Sequence, residues 1–240
     1  MGILYIVPTP IGNLKDITIR ALEVLFSVDL IACEDTRRTG LLLQKLGEMK
    51  SESTGLVQKT EHPPLISYYE QNEFQRIPEI ISYLQMGKNI ALISDAGTPA
   101  ISDPGFKLIR EAIKEKIKIE SLPGASAPLV ALTASGLPTD KFTFAGYPPR
   151  KPGHRKTFFE NIKSSQEFLK TTVILFEAPH KLLKTLAEMQ EVFGDIDIVI
   201  ARELTKTHEE LRHEKISASL SHFKKKEPKG EIVVLFNLNI

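Results

Sequence analysis

The chain has 240 residues, 42% of them apolar and 25% charged, the balance of a soluble globular protein with room for two ordinary domains. A formal net charge of +1 excludes whole-molecule attraction to nucleic acid as a binding mechanism. No apolar run approaches the ~20 residues that span a bilayer, the N-terminus MGILYIVPTP lacks a basic segment ahead of its short apolar run, and one cysteine, Cys33, allows no internal disulfide; a cytoplasmic protein without membrane association is expected. Cys33 follows Leu30-Ile31-Ala32 and reads as a small buried hydrophobe.

In chain order, short β-branched runs alternate with segments of helical period. Strands are predicted at 4–7, 30–33, 65–68, 90–94 and 117–122, and helices at 17–27, 36–46, 74–86 and 106–116. In the last of these, Phe106, Ile109 and Ile113 recur at three- and four-residue steps. Such alternation means βαβ crossovers and a mainly parallel sheet. The polar stretch 47–64 reads as a surface loop. Past Gly124 a second series follows, with strands at 142–145, 172–176, 196–201 and 232–236 and a helix at 181–192. Segments near 213–216 and the final strand look like a hairpin, so the second sheet is expected to be mixed. The predicted fold class is α/β, with two αβα domains at 1–121 and 122–240.

Open α/β sheets bind ligands beyond the carboxyl ends of their strands. Four such segments are rich in Gly, Pro and small residues: PTPIGN (8–13), EDTRR (34–38), DAGTPAISDPG (95–105) and PGASA (123–127). Residues 95–105 form a longer loop than a βα connection needs, and extra length there is usually functional. The loop is uncharged apart from Asp95 and Asp103, which disfavours a phosphate cradle and suits a ribose or a positive centre. GxxxxGK[ST] and GxGxxG are both absent. The six histidines form no ligand spacing, so no metal is expected. Positive charge is local: Arg37-Arg38, then Arg150, Lys151, Arg155 and Lys156, four charges within seven residues. Either set is a phosphate-binding patch or a solvated face.

Seven ordered motifs, LYIVPTPIGNLKDIT (4–18), IACEDTRRTGLLL (31–43), ALISDAGTPAISDPG (91–105), SLPGASA (121–127), LFEAPHKL (175–182), ARELTKTHEE (201–210) and KGEIVVLF (229–236), resemble the tetrapyrrole methylase superfamily over nearly the whole chain. The turn PTPIGN resembles the RNA-modifying branch, where tetrapyrrole enzymes carry GxGPG. The resemblance implies a homodimer with S-adenosyl-L-methionine in a cleft between the domains. It implies cofactor contacts from Pro10, Asp95, Ala96, Gly97, Thr98, Pro99, Ile101, Ser102, Ala125, Ser126, Glu177 and Ala201. The activity implied is 2′-O-methylation of a cytidine ribose in 16S ribosomal RNA of the small subunit, with Arg37, Arg38, Arg150, Lys151, Arg155 and Lys156 toward RNA.

A small-molecule methylase on the same fold and a non-catalytic RNA-binding protein remain as alternatives. Tyr147-Pro148 stands where the family has Phe-Leu, and Lys181 where arginine is common; longer members carry a basic extension after the final strand. Candidate proton acceptors are Glu34, Asp35, Glu177 and Glu203, with His180 and Lys206 as neutral bases. Asp35 could equally cap the following helix, and Glu203 could pair with Arg202 or Lys206.

Overall fold

A computed structural model describes residues 1–54 and 62–239, which form two compact units, Met1–Ser126 and Ala127–Ile240. The first unit runs β1 (Ile3–Ile6), α1 (Ile19–Leu25), β2 (Leu30–Cys33), α2 (Thr36–Thr54), β3 (Leu65–Ser67), α3 (Glu73–Gln85), β4 (Ile90–Leu92), α4 (Phe106–Lys114) and β5 (Lys118–Ser121). All strand pairs are parallel, in the order β3-β2-β4-β1-β5. Alternating side chains fill two cores, as expected of a sheet covered on both faces. Leu4, Ile6 and Ala32 pack with Leu84 and Leu108 of α3 and α4. Ile31, Cys33 and Ala91 pack with Leu25 and Leu43 of α1 and α2. Burial pushes the Cys33 thiol up to about 11, against a weaker opposing hydrogen bond from Thr39.

Local chemistry sets the helix boundaries. The Thr18 hydroxyl accepts from the Ala21 N–H at 3.1 Å, so α1 starts two residues later than its periodicity suggests. The helix α2 continues to Thr54 and corrects the expected surface loop at 47–64 over its first eight positions; residues 55–61 of that segment lie outside the described residues.

The second unit runs α5 (Ala127–Ala134), β6 (Phe142–Phe144), α6 (Pro152–Phe168), β7 (Thr172–Glu177), α7 (Pro179–Phe193), β8 (Asp197–Arg202), β9 (Glu210–Lys215), α8 (Ile216–Lys225) and β10 (Ile232–Phe236). Its sheet is mixed, in the order β6-β7-β10-β8-β9. The hairpin expected near 213–216 is real, but its partner is β8; β10 returns past α8 and inserts antiparallel between β7 and β8. One face packs Val173, Leu175, Ile200 and Val234 against Phe159, Leu186 and Leu220 of α6, α7 and α8. The basic segment 150–156 is the start of α6, with Pro152 in its first turn, where a missing N–H costs nothing.

Candidate functional site

Three loops leave the carboxyl ends of β1, β4 and β5 and are bonded to one another. Thr9 and Gly97 exchange both backbone hydrogen bonds, at 2.9 and 3.0 Å, and the Thr9 hydroxyl donates to the Ser94 carbonyl at 3.2 Å. The Thr98 hydroxyl donates to the Ala125 carbonyl at 2.9 Å. All ten first-unit positions named for the cofactor lie in these loops: Pro10; Asp95, Ala96, Gly97, Thr98, Pro99, Ile101 and Ser102; Ala125 and Ser126.

The loop 95–105 is held in uncommon backbone conformations. Gly97 has φ +81°, and Ala100 and Ser102 adopt φ of 67° and 62° despite their side chains. Strain of this kind costs of order 1–3 kcal/mol per residue and clusters where a loop clamps a ligand. A Cβ on Gly97 would stand 3.3 Å from Ile11 Cγ2, and one on Gly124 would strike Pro8 Cβ at 2.5 Å. These glycines let the loops close on one another and leave bare backbone at the strand ends.

These residues fit a ligand bearing hydroxyl or amino donors. Asp95 Oδ2 accepts from Arg38 at 2.7 Å, while Asp95 Oδ1 is buried with no hydrogen-bond partner among the described residues. A buried oxygen in that state costs about 1–3 kcal/mol until a donor reaches it, and the ribose hydroxyls or amino group of S-adenosylmethionine are such donors.

Beside these loops, at the carboxyl ends of β2, β3 and β4, lies an open cleft of about 890 Å³. Glu34, Asp35, Arg37, Arg38, Tyr69, Asp95, Asp103 and Phe106 all line it. Asp35 caps α2: its Oδ1 accepts from the Arg37 N–H at 2.9 Å, and both oxygens meet the Arg37 guanidinium at 3.4 Å. The Arg37 side chain, then the capping amides, hold the Asp35 carboxyl below its usual range. Glu34 is the reverse case. Burial, then the charges of Asp95 and Asp103, raise its carboxyl above the usual range, and Arg38 offsets this only in part. The rule that finds ligands beyond strand ends, applied after the third strand, would have flagged Tyr69; Phe106 is hidden from the sequence because its helical spacing resembles a core position.

The second unit engages most of its candidates structurally. Glu177, at the end of β7, is buried; it accepts from the Ala178 N–H at 2.7 Å and from the Thr185 hydroxyl, so it ties the strand to α7. Ala201 is buried in β8 one residue from its end, so Glu177 and Ala201 stand near the same end of the sheet on either side of β10. Glu203, at φ 52°, accepts from Lys206 at 2.8 Å and from the Glu231 N–H at 2.9 Å. Burial alone would raise the Glu203 carboxyl, but Lys206 and that backbone bond bring it below its usual range. Burial would likewise lower the Lys206 ammonium, and bonds to Glu203 and Glu231 raise it, which removes Lys206 as a neutral base. His180 is exposed.

Arg155 is a correction. Only 3% exposed, it clamps Glu188 of α7 through two bonds of 2.8 and 2.5 Å, so its guanidinium is not presented to phosphate. Arg150, Lys151 and Lys156 remain exposed around the start of α6.

A parallel α/β unit with a bonded set of strand-end loops, followed by a mixed-sheet unit, defines the class, and the chain belongs to the tetrapyrrole (corrin/porphyrin) methylase family, whose model matches residues 3–219. It is 45% identical over 237 residues to the ribosomal RNA small subunit methyltransferase I of Thermotoga maritima, covering 99% of both chains. It is 47% identical over 233 residues to the enzyme of that name from Mesorhizobium japonicum, covering 96% of this chain and 74% of the relative. Among solved structures, diphthine synthase superposes with a TM-score of 0.70 at 14% identity, covering 98% of this chain and 90% of that one. A uroporphyrin-III C-methyltransferase from Thermus thermophilus, complexed with S-adenosylhomocysteine, superposes at 0.63 and 13% identity, covering 99% and 98%. Among the described residues no helix is long and apolar enough to cross a membrane.

Proposed function

We propose that this protein is an S-adenosylmethionine-dependent methyltransferase that methylates the 2′-hydroxyl of a cytidine in 16S ribosomal RNA. The observation that carries the reading is the 45% identity, over 99% of both chains, to a ribosomal RNA small subunit methyltransferase I, together with the buried, unsatisfied Asp95 oxygen in the strained loop. The cofactor, when bound, supplies a methyl group already activated by a positive sulfur.

The protein's own contribution is alignment and the handling of one proton. Pro10, the loop 95–102, Ala125 and Ser126 would hold the cofactor. Holding two reactants in line is worth roughly 7–11 kcal/mol of barrier. A positioned acceptor for the hydroxyl proton adds ~10²–10⁴-fold. Of the four carboxylate candidates, Asp35, Glu177 and Glu203 are committed to caps and ion pairs. Glu34 lines the cleft but is not required as that acceptor, a role that ordered water can also fill. Arg37, Arg150, Lys151 and Lys156 carry exposed charge for phosphate, and Arg38 does so while bonded to Asp95. The protein acts as a homodimer in the cytoplasm, on a nucleotide that the folded subunit already presents unstacked.

Small ribosomal subunits lacking the modification, incubated with the protein and methyl-labelled cofactor, should gain one ribose-methylated cytidine by nucleoside mass spectrometry. Label on a base atom, or equal labelling of random RNA oligomers, would reject the reading.

A further inference from the structure

The cleft beyond β2, β3 and β4 contains more than the alignment of a methyl group requires. Its volume of about 890 Å³ lies at the upper end of the range for ligand pockets. Tyr69 and Phe106 line it with 37% and 64% of their surfaces exposed to water. Both rings present exposed apolar surface, and among the described residues neither stacks on another ring. The Arg37 side chain, 90% exposed, lines the same cleft. The Glu34 side chain makes no hydrogen bond or ion pair among the described residues; the lining also carries Asp35, Glu70, Glu73, Asp95 and Asp103 against Arg37, Arg38 and Lys107, and those three cations pair with Asp35, Asp95 and Glu73.

We propose that this cleft receives a single-stranded RNA segment, with Tyr69 and Phe106 stacking its bases, Arg37 facing its phosphates, and Glu34 accepting a hydrogen bond from an exocyclic amino group. The assignment rests on the methyltransferase reading above and names how that site selects its nucleotide.

Unstacked nucleotides are held by aromatic faces and by bonds to their exposed edges, with positive charge following the backbone. Carboxylates only accept. Cytosine presents an amino group where uracil presents a carbonyl oxygen, and Glu or Asp accepting from that amine is an established pairing. A carbonyl at the same position faces Glu34, Asp95 and Asp103 with like partial charge. A donor from the base would also relieve Glu34, whose charged form burial and the two neighbouring aspartates disfavour. A protein partner is a weaker match, since closing such a lining with apolar side chains would leave the Glu34 carboxylate dehydrated and unpaired.

The test uses the full chain and two fluorescent six-nucleotide probes, oligocytidylate and oligouridylate, titrated by anisotropy at low salt. The wild type should prefer oligocytidylate by about tenfold, since one well-made base contact discriminates by roughly five- to a hundredfold. Glu34→Gln should bring the ratio to within about twofold, because a glutamine amide can donate to the uracil carbonyl. Tyr69→Ala and Phe106→Ala should each weaken both probes about fivefold or more and leave the ratio unchanged. A wild-type ratio near one, or a ratio that Glu34→Gln does not move, overturns the proposal. So does a shift in sedimentation of the aromatic variants with unchanged probe affinity, which would make this wall a contact between copies. If Glu34→Gln removes an ionisation from the pH profile of methyl transfer while the ratio stands, Glu34 is the proton acceptor and the proposal falls. Methyl transfer to unmodified small subunits is assayed separately. If it is absent while the ratio and its loss in Glu34→Gln hold, the methyltransferase reading fails and the cleft assignment stands.

Discussion

Replacing Arg155 separates a folding role from an RNA role. Arg155 lies in the first turns of α6 inside a run of basic residues, yet its side chain is 4% exposed and its fork meets Glu188 twice. That contact, the larger influence, raises the guanidinium's pKa, and Glu177 adds to it, so Arg155 is a permanent buried cation. Arg155→Ala leaves Glu188, 18% exposed, without its partner and opens space between α6 and α7. Breaking a buried pair from one side costs about 3–5 kcal/mol. For a domain of this size each kcal/mol moves Tm by about 4 °C, so the transition of the second unit should fall by about 12 °C or more. The assay is calorimetry of the full chain, paired with RNA affinity as a function of salt. Lys156→Ala is the control. Lys156 is exposed, so its loss should leave Tm unchanged and reduce the salt slope by about 0.7 if it neutralises one phosphate. Arg155→Ala should lower Tm and leave the slope alone. An unaltered Tm with a flattened slope would refute the structural reasoning and return Arg155 to the RNA surface.

Gly97→Val should abolish S-adenosylmethionine binding by calorimetry while circular dichroism stays native, because a Cβ 3.3 Å from Ile11 at φ +81° forces the loop open; undiminished affinity would remove this loop from the site. Hydrogen bonds from Arg212, outweighing the effect of burial, hold Glu214 below the 4.5 of a free glutamate. The unfolded chain therefore binds the extra proton first, and the stability this pair contributes is present above about pH 4.5 and lost as pH falls through the lower folded value. Glu214→Gln should flatten the acid side of a Tm-versus-pH curve, and a curve unchanged below pH 5 would count against the pair. Sedimentation velocity should show a dimer at micromolar concentration, and a fully active monomer would reject the homodimer.

Much of this molecule was legible in the sequence, because local periodicity carries the signal where each element buries one face. The bounds of β2 and β10 coincide with their apolar runs, and the alternation of strand and helix was enough for a parallel first sheet. The loop 95–105 stood out by length and composition alone. Where the reading failed, the deciding information was not local. The partner of β9 depends on where β10 inserts, and no pattern within either strand records that. The turns of α2 past Gly47 form in a polar stretch that carries no apolar stripe to announce them. The start of α6 reads from the sequence only as a basic run, although Pro152 suits a first helical turn. Side-chain roles were the least legible of all. Asp35, Glu177 and Arg155 carry charges like those of Glu34 and Lys156, and residue type cannot say which find partners. Only packing decides that: Thr185 reaches Glu177 from eight residues away and Glu188 reaches Arg155 from thirty-three, whereas Glu34 is left facing an open cleft.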